Sequence, residues 1–273
     1  MSTGGAAIKA TSLGAVEVAA LRSLVAALFL FAATRAWRHR FDRPSIGVGV
    51  VVAVMMLLYV AANKLTTAAN TIYLQSAAPL WVLLAAPRLL GETIRMRDLL
   101  YMAALAGGLV LLLSGTQPVF ATAPRPMLGN LLALIGGVAW AATIMGLRWR
   151  ASAGIAATAM PAIICGNALV FAAGAPWALR AWPLAVSDAS VLLYLGLLQI
   201  GLSYVLFDSG VKHVPAFEAS LLLLVEPVFN PVWAWVLHAE TPGPWALAGG
   251  AVILGATAVK TVLDRRRQPT MSP

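Results

Sequence analysis

The sequence predicts an all-α polytopic membrane protein, folded as two inverted repeats of five helices, the first repeat lacking most of its opening helix. Three observations predict it: an apolar composition along the whole chain, a one-sided distribution of Lys and Arg among the loops, and an internal duplication. Of 273 residues, 60% are apolar and 11% charged, against roughly 45–50% and about 25% in a soluble domain. The mean hydropathy of +0.85 is spread over the length, which excludes a soluble domain behind a signal peptide or a single anchor. At about 20 residues per span, the chain has room for nine or ten helices and none for an extramembrane catalytic domain.

Polar breaks divide the apolar runs into nine full spans: Ala15–Ala33, Ser45–Ala62, Ala69–Leu90, Leu99–Ser114, Leu128–Leu147, Ala157–Ala175, Val191–Phe207, Ala216–His238 and Trp245–Val262. Met1–Leu13, with Gly4, Gly5 and Lys9, is too short and too weakly apolar to cross alone and reads as a stub. The first span ends in RAWRHRFDR, the second at Lys64, and PRLLGETIRMR separates the third from the fourth. Arg125 precedes the fifth, LRWR closes it, and Arg180 follows the sixth. The Lys212–His213 turn leads to the eighth, HAETPGPW joins it to the ninth, and an RRR tail follows. The Arg-rich breaks alternate with the poor ones, so the positive-inside rule puts the Arg-rich side and the C-terminus in the cytoplasm. The net charge of +9 therefore reports topology in a lipid bilayer rather than a nucleic-acid partner. A lone cysteine, Cys165, leaves no intrachain disulfide and no Cys-based metal cluster.

Displacing the chain by 148 positions, the distance from Pro79 to Pro227, lays Ala68–Thr93 on Ala216–Thr241 without a gap. Glu92 then meets Glu240, Thr93 meets Thr241, Lys64 meets Lys212, and the small-xxx-small pair Ala103/Gly107 meets Ala251/Gly255. The matched helices start from opposite sides in the charge-derived topology, so the repeat is inverted, the symmetry of alternating-access transporters. The halves are residues 1–116 and 127–263, with a basic tail at 264–273. The helix of Trp140 opens the second half, and its counterpart falls ahead of Met1. An earlier start, a natural truncation, or a front half supplied otherwise would each account for the stub.

In AALRSLVAALFL (Ala19–Leu30), the Pro79–Glu92 stretch ending in LLGE, GGVAWAATIMGLRWR (Gly136–Arg150), the LLLLVEP to AE run (Leu221–Glu240) and LAGGAVILGA (Leu247–Ala256), the chain resembles the EamA-type permeases of the drug/metabolite transporter superfamily. The likeness covers nearly the whole chain and lies in order, spacing and duplication. It implies a ten-helix fold with cytoplasmic termini and export of small metabolites, such as amino acids or related compounds, across the bacterial inner membrane. Two features depart from the family pattern: the incomplete first helix, which ordinarily lines the central cavity, and HAE (His238–Glu240) where GE is usual.

A carboxylate near the bilayer centre is costly and functional by default; Glu226, about eleven residues beyond Pro215, is such a group. It contacts a substrate amine or carries a coupling proton, or else pairs internally with Asn230 one turn on. Pro227 and Pro79 kink their helices and free carbonyls toward a cavity. Arg22 faces an acidic substrate or a protein carboxylate, or snorkels outward. Asp208 and Lys212 read as a helical ion pair, Glu218 as a helix-dipole partner, and Glu92 and Glu240 as structural end-caps. Tyr59, Tyr73, Gln75, Trp140, Asn167, Gln199, Ser203 and Tyr204 lie inside spans, as inter-helix bonds or as parts of a substrate cavity. The small-xxx-small pairs permit close contact within the bundle or between protomers of a homodimer. His39, His213 and His238 fall at helix ends or in loops, and neither H-E-x-x-H nor G-x-S-x-G occurs, so an intramembrane enzyme lacks its reagents. No metal or cofactor is expected. Without a Walker loop, uphill transport draws on an ion gradient, with protons the natural candidate. A transport-incompetent remnant or membrane scaffold is the alternative that the missing helix favours.

Overall fold

In the computed structural model, which describes residues 2–89, 95–114, 121–152, 158–210 and 225–265, every regular element is a helix. They are α1 (Gly4–Lys9), α2 (Ala15–Ala33), a 3-10 turn (Ala36–Arg38), α3 (Arg43–Leu65), α4 (Ala68–Ser76), α5 (Ala78–Leu89), α6 (Met96–Ser114), α7 (Pro126–Ser152) and α8 (Met160–Arg180). A continuous rod follows: α9 (Val186–Leu193), a π segment (Tyr194–Leu202) and α10 (Ser203–Gly210); then come α11 (Val225–His238) and α12 (Pro244–Arg265).

Among the described residues, seven helices are long and apolar enough to cross a membrane: Ala15–Ala33, Arg43–Leu65, Met96–Ser114, Pro126–Arg150, Met160–Arg180, Val186–Leu206 and Pro244–Leu263. The two expected spans not among them are the pair that the duplication matches. Within the described part of the expected Ala69–Leu90 span, residues 69–89 form two helices, α4 and α5, divided at Ala77. Pro79 offers no N–H to the Gln75 carbonyl and its ring crowds that carbonyl, so the chain breaks where a kink was expected. Of Ala216–His238, only Val225–His238 falls within the described residues; Lys212, His213, Pro215 and Glu218 lie outside them, as do Glu92 and the side chain of Asp208.

The bundle wears its large apolar side chains outside. Leu28, Leu100, Val110, Leu179, Val186, Val236 and Leu237 are exposed, while Ser23, Asn63, Asn167 and Asn230 are fully buried. That distribution suits a protein whose outer solvent is lipid. Inside, α3 packs on α7 and α8, α2 on α8 and the π segment, α6 on α12, and α4 on α7 and α11. Close crossings are made by glycine. A Cβ at Gly196 would lie 2.5 Å from Val25 and 2.8 Å from the Arg22 carbonyl, so α2 can rest directly on the π segment.

The small-xxx-small pairs are not the seam between α6 and α12. Ala103, Gly107, Ala251 and Gly255 are exposed, and a Cβ at Gly107 or Gly255 would meet nothing within 4 Å. The seam uses Gly108 and Gly249 instead, where a Cβ would reach Ile253 at 2.7 Å or the Gly108 carbonyl at 2.5 Å. Lys260 bonds Asp98 at 2.7 Å and Tyr101 meets Thr257 at 3.0 Å along the same seam.

The stub forms α1, packed against α11, α3 and the π segment. Gly4, Gly5, Ala6 and Ile8 are buried, and the Ala6 carbonyl meets His238 Nε2 at 2.8 Å. At the other end of α3, Asp42 caps the helix, accepting bonds from the Ser45 N–H at 2.8 Å and hydroxyl at 2.5 Å. These bonds, with Arg150 at 3.8 Å, hold the Asp42 carboxyl below its ordinary pKa.

Candidate functional site

Each helix delivers its polar residues to the bundle interior by spacing. Arg22 lies seven residues into α2, about 10 Å along its axis. Tyr59 and Asn63 stand one turn apart on α3, as Glu226 and Asn230 do on α11. Gln199 comes from the π segment and Tyr204 from the first turn of α10. The packing of α2 and α3 against each other, and of α1 between α3, α11 and the π segment, gathers these residues into one cluster.

The contacts are specific. The Arg22 guanidinium stands over the Tyr59 ring, 5.8 Å from its centroid. The Tyr59 hydroxyl lies beside the amides of Asn63 and Asn230. Both Tyr59 and Tyr204 lie within electrostatic reach of Arg22 and of Glu226. The floor is the backbone of α1: a Cβ at Gly4 would lie 2.8 Å from Gln199 Nε2, and one at Gly5 would lie 2.7 Å from Asn230 Oδ1 and 2.8 Å from Asn63 Oδ1. At Gly5 a side chain would displace both amide oxygens and crowd Ala68 Cβ at 3.0 Å, so glycine there lets the amides approach the α1 backbone.

The cluster is buried and unsatisfied. Arg22 is 2% exposed and Asn63 and Asn230 are fully buried. Arg22 Nε, the Tyr59 hydroxyl, Asn63 Oδ1, Gln199 Oε1 and both amide atoms of Asn230 have no hydrogen-bond partner among the described residues. The expected alternative of a Glu226–Asn230 pair is therefore not formed, and Arg22 has not snorkelled outward. Burying polar groups without partners costs about 1–3 kcal/mol each, more for a charge. The set therefore carries bonding capacity that the described residues do not use.

A second polar centre, between the ends of α3, α4 and α11, is complete. Lys9 Nζ meets Glu240 Oε1 at 2.8 Å and donates to the carbonyls of Thr66 at 2.8 Å and Thr122 at 2.6 Å. Glu240 also accepts from the Ala68 N–H at 3.1 Å and the Thr122 hydroxyl at 2.5 Å. Its position follows from Ala239, whose φ of 53° turns the chain back after α11. Glu240 thus sits at the first N–H of α4, where a carboxylate complements the helix dipole.

The other residues singled out in the sequence lie apart from the central cluster. Tyr73 packs on Gly250, where a Cβ would meet its ring at 2.7 Å. Gln75 faces α7 at Gly136, beside the α4/α5 break, with its Nε2 unpartnered. Trp140 packs on the apolar cluster that contains Tyr59. Ser203 donates to the Leu198 carbonyl of its own rod at 3.1 Å. Asn167 Nδ2 donates to the Ile163 carbonyl at 2.9 Å. Pro79 starts α5, and Pro227 is buried in the first turn of α11. Sequence reasoning missed Asn63 and Lys9. Asn63 was within reach, one turn from Tyr59; Lys9 was not, since its partner is 231 positions away.

The EamA-like transporter family model matches residues 1–114 and 127–261. The chain belongs to the EamA-like transporter family. It is thereby a multi-pass membrane transporter of the drug/metabolite type. The two family matches divide the central cluster between them: Arg22, Tyr59 and Asn63 lie in the first, and Gln199, Tyr204, Glu226 and Asn230 in the second. No curated protein matches. A solved crystal structure is similar over 98% of this chain and 94% of its own, at 23% identity and a TM-score of 0.63, a likeness that shows the fold alone.

Proposed function

We propose that this EamA-family chain is a secondary transporter of the bacterial inner membrane. It exports small metabolites, such as amino acids or related compounds, by alternating access of the halves 1–116 and 127–263, with its C-terminus cytoplasmic. One observation carries the reading: the central cluster draws its buried, unpartnered polar atoms from both family-matched stretches. A site at the junction of two repeats, empty of internal pairing, is where a transporter of this design binds its cargo. Glu226 is the proton carrier, since it is the carboxylate that reaches both cluster tyrosines.

Everted vesicles from cells with and without the chain test this, with a mixture of labelled amino acids outside and an imposed pH gradient. Accumulation only in vesicles that carry the chain, losing its dependence on the gradient in Glu226→Gln, is the expected result. Equal accumulation in both vesicle sets would overturn the transport reading.

A further inference from the structure

We propose that Arg22 is the seat for an anionic group on the transported molecule, and that this group is a single carboxylate held between Tyr59 and Tyr204. The proposal rests on the transport reading and goes beyond it, by naming the chemistry recognised and the residue that recognises it.

A guanidinium does not shed its charge as a buried amine can, so burial must be answered by an anion or by several acceptors. Arg22 has neither: among the described residues it makes no ion pair and no hydrogen bond, and its Nε is sealed from solvent. Two other buried cations find partners within the protein. Lys9 is bound by Glu240 and two carbonyls, and Arg150, though its Nε and Nη1 are unpartnered, donates through Nη2 to Ser45 with Asp42 3.8 Å away. Nor is Arg22 free to withdraw toward water. The crossing at Gly196 presses the π segment onto the Arg22 carbonyl, and the Tyr59 ring covers the guanidinium face.

The fork of N–H groups matches a carboxylate, which it grips through two parallel bonds. One cation balances one negative charge, which favours a monocarboxylate over a phosphate. Around it, the Tyr59 hydroxyl, the Asn230 amide and the amide oxygens of Asn63 and Gln199 offer bonding capacity that the described residues leave unused. These suit the polar remainder of a small metabolite.

The test uses the purified full-length chain with matched acid and amide probes: propionate and propionamide, benzoate and benzamide, leucine and leucinamide. Protection against thermal unfolding in detergent is measured first, then flux of labelled leucine and leucinamide in liposomes. The expected result is that the acids protect the wild-type chain at concentrations about ten-fold or more below their amides. Arg22→Gln erases that difference and Arg22→Lys keeps part of it. Wild-type protein that does not distinguish acid from amide overturns the seat, whether or not either variant folds. Acid-selective protection without flux upholds the seat and removes transport. Flux of leucinamide equal to leucine and unchanged in Arg22→Gln removes the seat and leaves transport standing. Neither protection nor flux removes both.

Discussion

Lys9 and Glu240 bury their charges at one end of the bundle with every donor of the ammonium answered, whereas Arg22 buries its charge in the interior with no ion pair among the described residues and its Nε unpartnered. The difference separates polarity that ties elements together from polarity that leaves bonding capacity to spare. A saturated buried pair has no capacity left for a ligand and gains its worth by tying elements together. Lys9 comes from the first family-matched stretch, Glu240 from the second, and Thr122 from the connector between them. The Arg22 cluster, whose polar atoms find few partners among the described residues, ties the two stretches together less.

The sharpest way to break this comparison is Glu240→Ala. Removing one partner strands Lys9 uncompensated, so stability in detergent should fall by about 3–5 kcal/mol, measured as a drop in thermal midpoint; a change below 1 kcal/mol would mean the pair is not structural. Asn230→Leu should act in the opposite sense. It deletes two buried polar atoms that bond nothing, so stability should rise by about 1–3 kcal/mol while transport is lost; loss of both would place Asn230 with the structural set.

A smaller effect is expected at Ala239, held at φ 53° where a side chain is strained. Ala239→Gly should stabilise the chain by about 1 kcal/mol, read from the same melts, without altering flux. The smallest concerns Asp42. Its carboxyl is held below the ordinary value of 3.8 by Ser45, so the cap's contribution is complete above that pH and is lost as pH falls through the lowered folded-state value. Asp42→Asn should forfeit the contribution at neutral pH and flatten the acid limb of stability against pH, as followed by melts between pH 3 and 7.

Much of this was legible before any coordinates. The composition and the loop charges announced a multi-pass helical protein, and Pro79 marked the place where a helix fails. Glu226, Asn230, Arg22 and Tyr59 stood out because polar side chains in apolar runs are conspicuous. What was not legible is pairing. Whether Glu240 bonds Lys9 and the Ala68 N–H, or Asn230 comes to face Tyr59 and Gly5, depends on how helices more than a hundred positions apart approach, and apolar runs of similar hydropathy carry no register for that. Ala103/Gly107 show the cost: the spacing was a packing signal in principle, yet the seam runs one residue over, through Gly108. The division of Ala69–Leu90 was half visible, since a proline shows where a bond is lost but not whether the chain bends or breaks.

The π segment sets the angular phase of its rod. Asp188, which accepts from the Ser12 N–H at 3.0 Å, and Tyr204, which packs into two apolar clusters, both point into the bundle. In an unbroken α-helix of about 100° per residue they would point roughly 160° apart. Wider turns with i→i+5 bonding advance by only roughly 80° per residue, and over Tyr194–Leu202 that deficit cancels the offset almost entirely. The wide turns thus act as a phase corrector, letting one rod face inward at both ends. Tightening them to α-geometry, without adding or removing a residue, would rotate Tyr204 out of the Arg22 cluster while leaving Asp188 where it is.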